Sequence, residues 1–414
     1  MAEKLQKFTK KLPNGFEIEM VPLKGYKQIY SVAMANFGSV NTKLADGSRL
    51  PAGIAHFIEH KLFAKPGYDV SEKFAEYGAN SNAYTSYTKT AYLFQTLENP
   101  YDNLKILLDL FQHPHFTEEN VASERGIINQ EIQMYLDMPE WVLEQRILEQ
   151  LYPGDPIAAD IAGSTETLQQ INAKNLLDTY RTNYRPDNMS LAIVGDVDFD
   201  KVVDIVEQSP FETDKGCPKT AENSFVEIGP GAEGKMNISQ SRSAFGIRVD
   251  TNSRGYDLVK LQYILNMIME TLIGESSENY QDMTNKDIID DSFSYNVVAE
   301  NDYCFIIISG STNKPQEFQD YLRKCLLDNK LKDVLTKDKF ERIKRDAIGA
   351  YLFAQNSPDA IANQMAELYF YDVDYLQLVQ LLDSISLDEV LNSADEVFQN
   401  DNFTYYNLLA DGKD

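Results

Sequence analysis

Residues 50–63 read LPAGIAHFIEHKLF, and the arrangement His56-Phe57-Ile58-Glu59-His60 within them governs how the remaining chain is understood. In a helix, histidines at i and i+4 and a glutamate at i+3 stand on one face. The flanks predict that helix: Pro51 suits a first-turn position, apolar residues recur at Ile54, Phe57, Ile58 and Leu62, and Pro66-Gly67 stops it. Imidazoles one turn apart can hold one zinc ion, and the adjacent carboxylate can then reach a water on that ion. The order His-x-x-Glu-His inverts the commoner zinc-peptidase helix. A histidine on an apolar helix face is often only a satisfied core residue. Here the chain has 4 histidines in all, and two of them stand at ligand spacing with the glutamate in place, so the metal reading outweighs the bland one.

A catalytic zinc needs a third protein ligand and one open position, and a carboxylate commonly joins two histidines. Thr117-Glu118-Glu119-Asn120 opens a long helix that carries Glu124 and Glu131 in ERGIINQEIQ. Seven residues apart, these two lie on one helical face, and one can bind metal while the other orients a ligand. Spacing leaves open which does which. His113-Pro114-His115 sits in a helix-to-helix turn and reads as structural.

The 414 residues suffice for two domains of ordinary size. The net charge of −26, from 64 acidic and 38 basic residues, repels nucleic acid and anionic membrane surfaces and suits neutral or basic partners. Cys217, Cys304 and Cys325 are odd in number and unpaired in spacing, which argues against a disulfide framework or a cysteine zinc site and for a reducing compartment. MAEKLQKFTKKLPNG lacks the apolar core of a secretory signal, and no apolar run is long enough to span a membrane. The expectation is a cytoplasmic protein.

Along the chain, 16–21 and 30–37 read as strands, and 78–88 as an exposed edge strand paired with 92–94. Such an edge beside the metal helix is where an extended peptide could add as a further strand. Helices follow at 100–112, from Thr117 to Tyr135, and at 173–184, then a strand at 189–194. The stretch SPFETDKGCPKTAENSFVEIGPGAEGK has the composition of a linker. The second half repeats strand, helix, two strands and helices, but holds no histidine. The expected architecture is α+β: a metal-bearing domain over 1–215, a linker over 216–236 and a similar metal-free domain over 237–414. Each would be a mostly antiparallel sheet with helices packed on one face.

HFIEH with Glu131 downstream, GANSNAYTSYTKTAY, LYPGDPIAADIAGSTETLQQI and NYRPDNMSLAIVGDVD together resemble the pitrilysin/insulinase family of zinc peptidases. The likeness runs over nearly the whole chain and points to the small two-domain subclass. Within it, SSENYQDM and DDSFSYNVV resemble a subunit type of Gram-positive bacteria. The resemblance implies one zinc per chain, with His56, His60 and Glu131 as ligands. It makes Glu59 the general base and Glu124 the glutamate that supports the ligands from outside. Asn82, Ala83 and Tyr84 match the edge strand that pairs with the substrate backbone. Members that act alone carry an Arg and a Tyr seven residues apart in the second domain. Here Thr284 stands near the first position and Asp290 or Asp291 near the second, with no arginine between Arg254 and Arg323. The resemblance therefore implies a heterodimer, in which a related zinc-less subunit supplies the Arg/Tyr pair and small peptides are cut in an enclosed chamber. A homodimer would lack the pair on both sides. The competing readings are a non-catalytic peptide-binding or scaffold subunit, and a metallohydrolase for another substrate. Intact ligands disfavour the first and the edge strand the second.

Overall fold

Apolar and alternating runs of the first half close into a six-stranded sheet in the structure, a computed structural model that describes residues 5–44, 46–209, 211, 226–327, 331–399 and 402–411. Its strands are β1 (Phe8–Lys11), β2 (Glu17–Pro22), β3 (Ile29–Ala35), β4 (Ala79–Thr85), β5 (Thr90–Thr96) and β6 (Met189–Gly195), in the order β1-β2-β6-β3-β5-β4. Only β2 and β6 run parallel; the other neighbours are antiparallel. Ala33 lies opposite Leu191 on one side and Tyr92 on the other, so these three point to one face. That face, with Ile193 and Phe94, shares a core with Phe57, Ile58 and Leu62 of α1 (Ile54–Phe63). Helices α2 (Val70–Glu76), α3 (Pro100–Gln112) and α4 (Glu118–Leu136) add Phe74, Leu107 and Ile128 to that core. The buried Lys65 donates to the carbonyls of Asp109, Leu110 and His113 and so caps the C-terminus of α3.

The second sheet has five strands: β7 (Ala232–Met236), β8 (Arg242–Arg248), β9 (Ser294–Glu300), β10 (Tyr303–Ser311) and β11 (Phe403–Ala410), in the order β9-β10-β8-β11-β7. Here β7 and β11 form the parallel pair. Helix α5 (Pro139–Leu151) packs on β8 and β11, α6 (Gly255–Ile273) on β9, and α7 (Pro315–Leu327) on β8. A Cβ on Gly246 would meet Ile147 and Leu151 at 3.0 Å, so a glycine in β8 is what lets α5 approach so closely.

The α+β architecture of two mostly antiparallel sheets is thus present, with one layer more than a single helix-covered face. Strands β3 and β6 are buried at all seven positions because α8 (Pro358–Tyr369) covers their second face, where Asn363 donates to the Tyr30 hydroxyl. One compact unit comprises the described residues of Met1–Ile132, Ala159–Glu222 and Leu352–Leu376, and the other those of Gln133–Ala158, Asn223–Tyr351 and Gln377–Asp414. Helix α5 from the first half belongs to the second unit, and α8 from the second half to the first. A division at 215 and 237 differs from these units: it puts β7 in the linker and each of these two helices with the other half. Of the stretch read as linker, 216–225 and with it Cys217 lie outside the described residues, while Ala232–Met236 is β7. No described helix is long and apolar enough to cross a membrane.

Candidate metal centre

Helix α1 starts at Ile54, three residues later than Pro51 predicts, because Gly53 takes a left-handed φ of 90° just before it. A Cβ there would lie 2.5 Å from the Ala162 carbonyl oxygen, and one on Gly163, φ +80°, would lie 2.6 Å from that of Ala52. Two glycines thus let two backbone turns touch. The same 159–171 segment holds α4, since Arg125 donates to the carbonyls of Leu168 (3.0 Å) and Ile171 (2.8 Å). The segment ADIAGSTETLQQI is a buttress common to both helices of the site.

From α1, His56, Glu59 and His60 face Glu124 and Glu131 of α4. His56 Nε2 lies 3.8 Å from Glu131 Oε1, and His60 Nε2 lies 3.4 Å from Glu131 Oε2. The ligand atoms of His56, His60 and Glu131 all fall within 4.8 Å of one another, the one such group among the described residues. On the far side of its ring, His60 Nδ1 lies 3.2 Å from Glu124 Oε1, whose second oxygen is 3.3 Å from Lys61 Nζ. Glu59 Oε2 is 4.0 Å from His56 Nε2 and accepts a 3.2 Å bond from the Thr85 hydroxyl at the end of β4.

Burial, and after it the neighbouring His60, lowers the His56 pKa to about 4, which leaves the ring neutral with a lone pair to give. Its Nδ1 is buried with no hydrogen-bond partner among the described residues, and both nearby carboxylates lie on the Nε2 side of the ring. Burial raises Glu59 to about 7. Burial works to raise Glu124 as well, but the His60 bond and the Lys61 charge outweigh it and hold it below its ordinary value. On His60 burial opposes charge, whereas the Glu124 bond and the surrounding carboxylates raise the pKa. Two imidazoles and one carboxylate, with a carboxylate steering one ring from outside, fit a catalytic zinc and leave a position for water.

The two glutamates left open by spacing are thus separated by geometry: Glu131 meets both Nε2 atoms, and Glu124 meets only the outer nitrogen of His60. Asn82, Ala83 and Tyr84 lie on β4, whose one strand neighbour among the described residues is β5. Asn82 and Tyr84 are exposed, and Asn82 Oδ1 accepts from the Ala83 amide at 2.9 Å. His113 stands apart, its Nδ1 2.8 Å from Asp109. In the second unit, the exposed Thr284 bonds back to the Tyr280 carbonyl, and Asp290 accepts from Ser292 and Gln240, so neither offers a guanidinium or a phenol. Sequence reasoning missed Lys61, Thr85 and the glycine pair. For Lys61 a signal existed: seven residues after Ile54, it puts a charge on the apolar face of α1.

Residues 45–165 match the family described as Insulinase (Peptidase family M16), and residues 170–346 match Peptidase M16 inactive domain. The chain is 35% identical over 416 residues to an uncharacterized zinc protease, YmfH, of Bacillus subtilis (strain 168), covering 97% of this chain and 96% of that one. An M16-like chain from Alicyclobacillus acidocaldarius superposes with a TM-score of 0.91 at 26% identity, over 99% of both chains. A protease from Helicobacter pylori superposes at 0.84 with 19% identity, over 98% of this chain and 100% of that one, a likeness of fold.

Proposed function

The chain belongs to the insulinase (M16) family of peptidases, and on that premise we propose that it is the zinc-bearing subunit of an endopeptidase for small peptides. The observation that carries this reading is the convergence of His56, His60 and Glu131 to within 4.8 Å beside the Glu59 carboxylate. A zinc ion held by these three ligands would supply Lewis acidity toward a peptide carbonyl and lower the pKa of a water. Glu59 would take the proton of the attacking water as the water oxygen bonds to the carbonyl carbon. It then passes that proton to the amine nitrogen as the C–N bond breaks. Thr85 holds Oε2 of Glu59 and limits its rotation. An extended substrate would add to the free side of β4 at Asn82, Ala83 and Tyr84, with main-chain bonds holding the scissile bond in register.

The second unit has Thr284 and Asp290 or Asp291 where an Arg/Tyr pair is expected, which supports a split site. A related zinc-less subunit supplies the pair, and the two chains enclose the peptide. The free, buried thiol of Cys304 accords with a reducing, cytoplasmic setting.

The test measures zinc content and peptide cleavage for wild type and Glu59→Gln, each with and without the related subunit. Stoichiometric zinc in both and cleavage only by wild type with its partner is the expected result. Zinc without cleavage in any pairing would leave a peptide-binding scaffold, and absence of zinc would remove the metal reading.

A further inference from the structure

Position 61 faces inward, seven residues beyond the buried Ile54 and three beyond the buried Ile58. The Lys61 side chain is only 3% exposed, and an ammonium taken out of water needs a counter-charge. That counter-charge is Glu124: its Oε2 lies 3.3 Å from Lys61 Nζ, and its Oε1 lies 3.2 Å from His60 Nδ1. One carboxylate from α4 thus grips two consecutive residues of α1. Arg125, beside Glu124 in sequence, donates to the Leu168 and Ile171 carbonyls.

We propose that Lys61 is a positioning residue of the metal centre, fixing the rotation of Glu124 so that His60 keeps its Nδ1 on that carboxylate and presents Nε2 to the metal. The inference rests on the zinc reading above. Torsion about the last bond of a glutamate side chain is broad and weakly restrained. With Oε2 anchored by Lys61, the plane of the carboxylate is set, and with it the bond that orients the His60 ring. Such outer contacts are worth roughly 10–100-fold in metal affinity.

Zinc affinity of the full chain, measured by chelator competition, tests this without recourse to activity. Lys61→Met should weaken binding about 10–100-fold, and Lys61→Arg should restore most of it. In a Glu124→Gln background, Lys61→Met should add no further loss, because its effect passes through that carboxylate. The cobalt-substituted protein should show a changed visible spectrum for Lys61→Met, and thermal unfolding of the metal-free variants reports folding separately. Should Lys61→Met fail to fold, Lys61→Gln takes its place. Wild-type affinity in Lys61→Met, or an equal loss with and without Glu124, overturns the proposal while the zinc reading stands. A wild type that binds no zinc overturns both.

Discussion

Replacing Gly163 by alanine should loosen the N-terminus of the metal helix, although residue 163 touches no ligand. Two costs act together. The left-handed φ of +80° costs an L-residue about 1–2 kcal/mol, less about 0.4–1 kcal/mol regained because alanine restricts the unfolded chain. The new Cβ would stand 2.6 Å from the Ala52 oxygen and 2.7 Å from Thr167 Oγ1, and overpacking of this kind adds about 1–3 kcal/mol. The expected loss is about 2–4 kcal/mol. Gly67 supplies the control: its φ is +84°, but nothing lies within 4 Å of its Cβ direction, so Gly67→Ala should cost only about 1 kcal/mol.

The assay is hydrogen exchange of the amides in 50–63. A loss of about 3 kcal/mol lowers their protection roughly 100-fold, if they exchange through opening of this unit. Tryptophan fluorescence would miss the effect, because Trp141 stacks on Tyr135, with ring centroids 4.3 Å apart, in the other compact unit. If Gly163→Ala and Gly67→Ala cost the same to within about 0.5 kcal/mol, the reciprocal glycine contact does not brace α1.

Arg125→Met removes both bonds that tie α4 to the buttress. It should lower stability by about 2–4 kcal/mol and weaken zinc binding through Glu131, as read by urea midpoint and chelator competition. Burial lowers Lys65 from 10.5 to about 8. Between these values the unfolded chain still binds the proton that the folded chain has released. Stability from this group is therefore present above pH 10.5, and it is lost as pH falls through 8. The rise across the window should reach about 3 kcal/mol, and Lys65→Met should abolish it in a pH series of urea melts. Burial also pushes the Cys304 thiol up to about 12. Iodoacetamide at pH 8 should therefore alkylate the half-buried Cys325 of the native protein and spare Cys304, as peptide mass spectrometry would show.

What could be read from the sequence was whatever local spacing encodes. The ligand helix was legible because i, i+3 and i+4 are fixed by helical geometry, and β4 because the stretch around it, 78–88, is rich in Thr and Tyr. Strand β7 was not: AEGKM has no β-branched residue, and the parallel register of Glu233 with Asn407 is what makes it a strand. Nor could the exchange of α5 and α8 be seen. An amphipathic helix declares that it covers a surface without declaring which sheet. Gly53 and Gly163 are far apart in sequence, and each reads alone as a turn residue. Glu124 and Glu131 were legible as a pair but not in their placement, because spacing does not say which carboxylate meets His60 Nδ1 and which lies near both Nε2 atoms.

The two sheets sharpen the question of where the chemistry resides. Read from the edge hairpin inward, β4-β5-β3-β6-β2 and β9-β10-β8-β11-β7 have the same order, each reaching the one parallel pair of its sheet at these last two strands, and the first sheet adds β1 beyond it. Helices α1 and α6 are the first to follow the central strands β3 and β8, and each packs against the edge strand of its own sheet. Yet α6 buries Leu258, Val259, Leu265, Ile268 and Leu272 and carries no histidine, whereas α1 buries His56 and Glu59 among apolar neighbours. A shared scaffold therefore specifies a place for a site without specifying the site. Sheet order and hydrophobic pattern were bound to recur in both units, since either core requires them. The polar residues carried on α1 were free to differ, and the buried face of α6 is mostly apolar.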